Sequence, residues 1–148
     1  MRALVQRVTD ASVTVANQQI SSIGNGLLIF IAIAPEDGSK QIKYIVEKIS
    51  NLRIFPNASG RFDKSAIDVG ADLLLVSQFT LYADCRRGRR PSFTRAAAPD
   101  FAKTTFQKIL DGFMETGLPV KTGIFQEHMQ VNLTNDGPVT IWVDSDEL

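Results

Sequence analysis

Ser77, Gln78, Phe79 and Thr80 bring two hydroxyls, an amide and several backbone N–H groups together at one point of the chain. They follow Leu73-Leu74-Leu75-Val76, an apolar run that reads as a buried strand. A buried strand that ends in clustered polar side chains is a usual place for an α/β protein to build a site. The Thr80 hydroxyl is a candidate nucleophile, but such a hydroxyl needs an activating base, and none stands nearby in the sequence. The same four residues also read as a strand end whose side chains only cap a turn.

Directly after them come Arg86, Arg87, Arg89 and Arg90, interrupted by Gly88. Most charge runs are solvated faces, but one that abuts a polar strand end is a better fit to phosphate oxygens. Phe93 can line a pocket, stack on a base, or belong to the core. Cys85 and His128, the single cysteine and single histidine, would form a nucleophile pair only with an orienting acid and a spatial meeting that no spacing implies. An incidental small residue in a loop is the better reading of Cys85. One cysteine and one histidine are also too few for a structural zinc site, and neither metal nor cofactor is expected. Gly137-Pro138 reads by itself as a hairpin turn, with the proline opening an edge strand.

The elements that must hold these residues follow from periodicity. Arg2–Val8, Ser12–Val15 and Gln19–Ile23 read as strands, and Gly24-Asn25-Gly26 as a tight turn with positive φ. Leu27–Ile33 does not alternate and reads as a strand covered on both faces. Ser39 can cap a helix carrying Ile42, Ile45, Val46 and Ile49 on one side. Leu52–Phe55 reads as a strand, residues 57–60 as a surface turn, and Ala71–Phe79 as the central strand. Pro99 opens a second helix with Ala102, Thr105, Phe106, Ile109 and Phe113 in register, stopped by Gly117 and Pro119. Val120–Phe125 is irregular or β; Met129–Thr134 and Val139–Val143 alternate as two further strands. Two main helices against more strands make an α/β layer architecture over residues 1–148.

Size and composition limit the rest. The 148 residues suffice for one domain with its own core, and 44% hydrophobic with 22% charged residues is ordinary for a globular chain. Sixteen basic and sixteen acidic residues cancel, so a nucleic-acid contact has to come from the local arginine cluster. A lone cysteine fits a reducing compartment. No charged-then-apolar leader is evident, and the longest apolar run, Leu27 to Pro35, is far below the roughly 20 residues of a membrane helix. A cytoplasmic protein without membrane contact is expected.

Three stretches together carry a family resemblance: residues 77–84, residues 88–93, and Asn135-Asp136-Gly137-Pro138-Val139-Thr140. With Val5-Gln6-Arg7-Val8 and Asn51-Leu52-Arg53-Ile54-Phe55, they resemble the D-aminoacyl-tRNA deacylases from Met1 to about Val143. Cys85 and the tract Thr94–Ala98 depart slightly from that pattern.

The resemblance implies a compact three-layer α/β/β domain, a mostly antiparallel or mixed sheet, and a homodimer. It implies hydrolysis of the ester joining a D-amino acid to the 3′ adenosine of tRNA, and removal of glycine from mischarged tRNA. Gly137 and Pro138 would form a Gly–cis-Pro pair entering the other subunit's pocket, where backbone carbonyls crowd an L side chain, and Arg7 would hold that loop. Phe93 and Met129 join the expected substrate-binding set, and Arg86, Arg87, Arg89 and Arg90 the tRNA-binding set; no DNA partner is expected. For the chemistry, the N–H groups of Gln78 and Phe79 are the expected oxyanion donors, the attacking water is oriented by the tRNA ribose hydroxyl, and Thr80 is favoured as an anchor. The alternatives are an RNA-binding module without catalysis and a Cys85/His128-dependent hydrolase.

Overall fold

The computed structural model describes residues 1–147. Its elements are β1 (Arg2–Val15), β2 (Gln18–Ile23), β3 (Gly26–Ala32), α1 (Ser39–Asn51), β4 (Phe55–Pro56), β5 (Phe62–Lys64) and a one-turn α2 (Ala66–Val69). They are followed by β6 (Asp72–Ser77), α3 (Pro99–Met114), β7 (Val120–Thr122) and β8 (Gln130–Asp144), with a 3₁₀ turn at Phe79–Tyr82.

β1 organises the sheet. The two strands expected at Arg2–Val8 and Ser12–Val15 are one 14-residue strand, because β8 pairs with it along its whole length. On its other edge, Arg2–Val8 pairs antiparallel with β3, and Ala11–Val15 with β2. β6 then adds to β3, and β7 to β6, both in parallel. The mixed sheet thus has the order β2-β1-β3-β6-β7, with β8 on the remaining side of β1.

Two cores follow from the strand period of two. Ala3, Val5, Leu27, Ile29, Ile31, Leu73 and Leu75 face α1 and α3, where they meet Ile45, Ile49, Phe106, Ile109 and Phe113. Leu28, Leu74 and Val76 point the other way and meet Val13, Ile23, Val131 and Leu133. The far half of β1, with β2 and the start of β8, therefore lies across the sheet face opposite the helices, giving the α/β/β layering. Each such aliphatic side chain contributes about 1.5–3 kcal/mol by leaving water.

Several local expectations change. Gly24 and Gly26 do not take positive φ; the β1–β2 hairpin places it instead at Ala16 (47°) and Asn17 (63°). Gly26 is required for space, since a Cβ there would lie 2.0 Å from the Asp72 carbonyl oxygen. Ser39 does not cap α1; Gly38 precedes the helix, and its N–H donates to Gln41 Oε1 at 3.0 Å. Pro99 does open α3. Only Phe55 of the stretch 52–55 is in a strand. No helix among the described residues is long and apolar enough to cross a membrane.

Candidate active site

β6 stops at Ser77, two residues short of the strand end expected from sequence, because the backbone turns at Gln78 (φ −146°, ψ 74°). The turn is pinned by the Gln78 N–H, which donates to the Ile31 carbonyl of the neighbouring strand at 2.7 Å. That bond occupies one of the two expected oxyanion donors, so Gln78 cannot serve through its backbone N–H. The N–H groups with no acceptor inside the 3₁₀ turn are those of its first residues, Phe79 and Thr80. The Gln78 side chain reaches forward, and its Nε2 donates to Thr80 Oγ1. Phe79 and Thr80 are both exposed.

This strand end opens onto a cleft of about 630 Å³. Ile31, Ile33, Val76 and Ser77 line it, together with Gln78, Phe79, Phe93 and Met129. Phe79 and Phe93 meet edge to face with centroids 5.1 Å apart and planes at 73°. The Met129 sulfur rests against Gly123, where a Cβ would come within 2.5 Å of it. The pairing of an apolar lining with a few polar groups suits a small organic group held by its ends.

Sequence reasoning missed one wall. Phe125, Gln126 and Glu127 also line the cleft, beside His128. The segment after Val120 has no periodicity to betray it, and its decisive feature, φ of +65° at Gln126, falls on a residue type that does not advertise it. Cys85 is exposed on the arginine loop and is not part of the cleft lining that includes His128. The geometry therefore does not bring the Cys85/His128 pair together there.

The arginine loop is closed at its base by two backbone bonds between Asp84 and Ser92, at 2.7 and 2.9 Å, and turns at Gly88 with φ of +70°. Its arginines are not equivalent. Arg86 folds onto Asp84 through Nε at 2.9 Å, Nη2 at 2.6 Å and its own N–H at 3.0 Å. These bonds, the side-chain ones first, hold the Asp84 carboxyl well below the usual carboxylate range. Arg87, Arg89 and Arg90 are exposed, on the loop whose chain leads on to the cleft residue Phe93.

Gly137 and Pro138 do not form the hairpin turn suggested by their types. They sit within β8 and bulge out of it: Gln6 pairs with Thr140 and Val8 with Asn135, so residues 136–139 stand opposite Arg7 alone. The Gly137–Pro138 bond is cis, and Gly137 has φ of +131°, a region open to glycine. Arg7 is buried beneath them. Its Nη1 donates to the Ile54 carbonyl at 2.6 Å, and its Nε meets the Asp136 carbonyl at 3.3 Å and Asp136 Oδ2 at 3.2 Å. Both residues of the bulge are exposed, and neither lines the cleft of its own chain.

Comparison with known proteins gives this geometry a context. The family described as D-Tyr-tRNA(Tyr) deacylase matches residues 4–144. A protein of Syntrophobacter fumaroxidans named D-aminoacyl-tRNA deacylase is 50% identical over 145 residues, covering 98% of this chain and 97% of its own length. One of the same name from Desulfotalea psychrophila is 49% identical, covering 100% and 99%. Among solved structures, the protein named c-Myc DNA Unwinding Element Binding Protein superposes with a TM-score of 0.93 at 42% identity, over 98% of this chain and 99% of that one. A probable eukaryotic D-amino acid tRNA deacylase shares the fold, with a TM-score of 0.84 at 17% identity, covering 96% of this chain and 97% of its own.

Proposed function

The chain belongs to the D-Tyr-tRNA(Tyr) deacylase family, and from that premise we propose that it hydrolyses the ester between a D-amino acid and the 3′ end of tRNA. The observation that carries the reading is the strand-end cleft, with Ser77, Gln78 and the opening residues of the 3₁₀ turn set against an apolar wall. An aminoacyl ester is already activated, so a modest catalyst suffices. The N–H groups of Phe79 and Thr80 receive the developing oxyanion, a kind of interaction worth about 3 kcal/mol per donor. The substrate's own ribose hydroxyl orients the attacking water, and Thr80 anchors the substrate. Arg87, Arg89 and Arg90 contact tRNA phosphates, while Arg86 mainly shapes the loop. Such a substrate would place the protein in the cytoplasm.

Selection against L-amino acids is assigned to the bulge at Gly137 and Pro138, acting on the cleft of a second copy in a homodimer. D and L esters differ only in the direction in which the side chain leaves Cα. Attraction to one side chain would serve one amino acid; obstruction by main chain serves all L side chains together. Glycine has nothing to obstruct and is hydrolysed as well. What supports the cross-subunit arrangement is that the bulge is exposed, held rigidly by Arg7, and absent from its own chain's cleft.

The experiment is incubation with D-tyrosyl-tRNA and L-tyrosyl-tRNA, following release of the free amino acid. The expected result is rapid release of the D form alone. Release of neither, with tRNA still bound, would leave a binding module; equal release of both would defeat the selective role of the bulge.

A further inference from the structure

The bulge that carries Gly137 and Pro138 is tied at its neck by a pair of side chains that no role described above uses. Asn135 is the last β8 residue paired with β1 before the bulge, and Thr140 the first paired after it. The Asn135 amide spans the gap: Nδ2 donates to Thr140 Oγ1 at 2.8 Å, while Oδ1 accepts from the Val139 N–H at 3.0 Å. Gln6, next to Arg7 on β1, adds a longer bond from Nε2 to the same Thr140 oxygen at 3.3 Å. Arg7 holds the bulge from beneath, through Asp136. The neck bonds constrain a different degree of freedom, the separation and twist of the two strand ends from which the bulge projects.

We propose that Asn135 and Thr140 act as a clip that positions the Gly137–Pro138 main chain, and so are specificity-determining residues for the rejection of L-aminoacyl esters. The proposal rests on the assignment of chiral selection to the bulge. An obstruction made of main chain discriminates only while its atoms stay within a fraction of an ångström of their seats, since a side chain displaced by that much passes. Two side-chain bonds across the neck supply that constraint without touching the substrate. Val139, whose N–H is held by the clip, is itself buried, so the clip joins the bulge to the core at one end.

The clip makes a specific demand on the chemistry at 135 and 140. Position 135 needs a polar group that bonds both the Thr140 hydroxyl and the Val139 N–H, which an amide supplies and an alanine removes. Position 140 needs an oxygen acceptor, which serine keeps and valine removes. The test is the ratio of L- to D-tyrosyl-tRNA hydrolysis in the full-length protein, measured for Asn135→Ala, Thr140→Val, the double variant and Thr140→Ser, with the unfolding midpoint of each. The expected result is a rise of about tenfold in the L-to-D ratio for each single variant, with hydrolysis of the D ester and the midpoint nearly unchanged. The double variant should be little leakier than either single one, because the Asn135–Thr140 bond is already lost in each, and Thr140→Ser should retain rejection. An unchanged ratio in both single variants, or D and L rates falling together with the midpoint, would overturn the proposal. A wild-type protein that hydrolyses both esters equally would defeat the underlying assignment instead, and that result is visible before any variant is made.

Discussion

Thr80 bears a hydroxyl whose hydrogen-bond partner is the Gln78 side-chain amide, donating through Nε2. An amide N–H cannot take a proton from the hydroxyl, so the contact orients the oxygen without activating it. Thr80→Ala should therefore lower kcat/KM for a D-aminoacyl-tRNA by about ten- to hundredfold, the loss of one or two substrate hydrogen bonds. A nucleophile's removal would cost about 10⁴-fold or more, and single-turnover kinetics on the two proteins separates the cases. At this scale residue types were readable before geometry. Ser77, Phe79, Phe93 and Arg7 stood out through their place in motifs, and Met129 only with the resemblance; of these, Ser77, Phe79, Phe93 and Met129 line the cleft, and Arg7 lies under the bulge. The misreading of the Gln78 N–H came from something that types cannot carry: its acceptor is on Ile31, 47 residues away in sequence (78 − 31), and only the parallel pairing of β3 and β6 brings it there.

Elements set the shape that the residues line. The short segment from β7 into β8 crosses Gly123, and the absence of a side chain there gives the Met129 thioether its resting place. Gly123 carries no positive φ, so alanine fits the backbone and only the sulfur has to move. Gly123→Ala should leave the thermal midpoint within a few degrees, since a flexible side chain absorbs the contact at about 1 kcal/mol or less. It should raise KM for bulky D-aminoacyl esters more than for glycyl esters, as Met129 is pushed toward bound substrate; a kinetic comparison of D-tyrosyl- and glycyl-tRNA reads the difference. Periodicity located α1, α3 and the buried β3 and β6 well, because each buries a stripe or a face of its own sequence. It failed at β1 and β8, which look like four strands. A local pattern is interrupted at Thr9-Asp10 and at 135–138, while the partner strand that bridges each interruption is remote in sequence.

At the scale of the molecule, cleft and bulge belong to different parts of one chain, so the proposed mechanism needs two chains per working site. Mixing two variants tests it. Arg7→Lys gives up the forked contacts under the bulge and should leak L-amino acids. Ala96→Trp fills the cleft from its lining and should be inactive by itself. After refolding the two together with the second in excess, most working clefts of the first face an intact bulge, and the L-to-D ratio should fall toward wild type; a constant ratio would mean that the bulge acts within its own chain. The pairing of β8 carries one more consequence. Residue numbers across the ladder sum to 146 from Arg2↔Asp144 to Gln6↔Thr140, to 143 at Val8↔Asn135, and to 144 from Asp10↔Thr134 to Thr14↔Gln130. The shift at the bulge is therefore three (146 − 143), and a second shift of one (144 − 143) follows at Thr9. Excising Asp136, Gly137 and Pro138 would thus let β1 pair with β8 in a single register from Arg2 to Val8, leaving only the one-residue shift between Val8 and Asp10, and circular dichroism should report a folded protein. Discrimination between mirror-image substrates would then be a removable splice in an otherwise ordinary ribbon, separable from the scaffold that displays it.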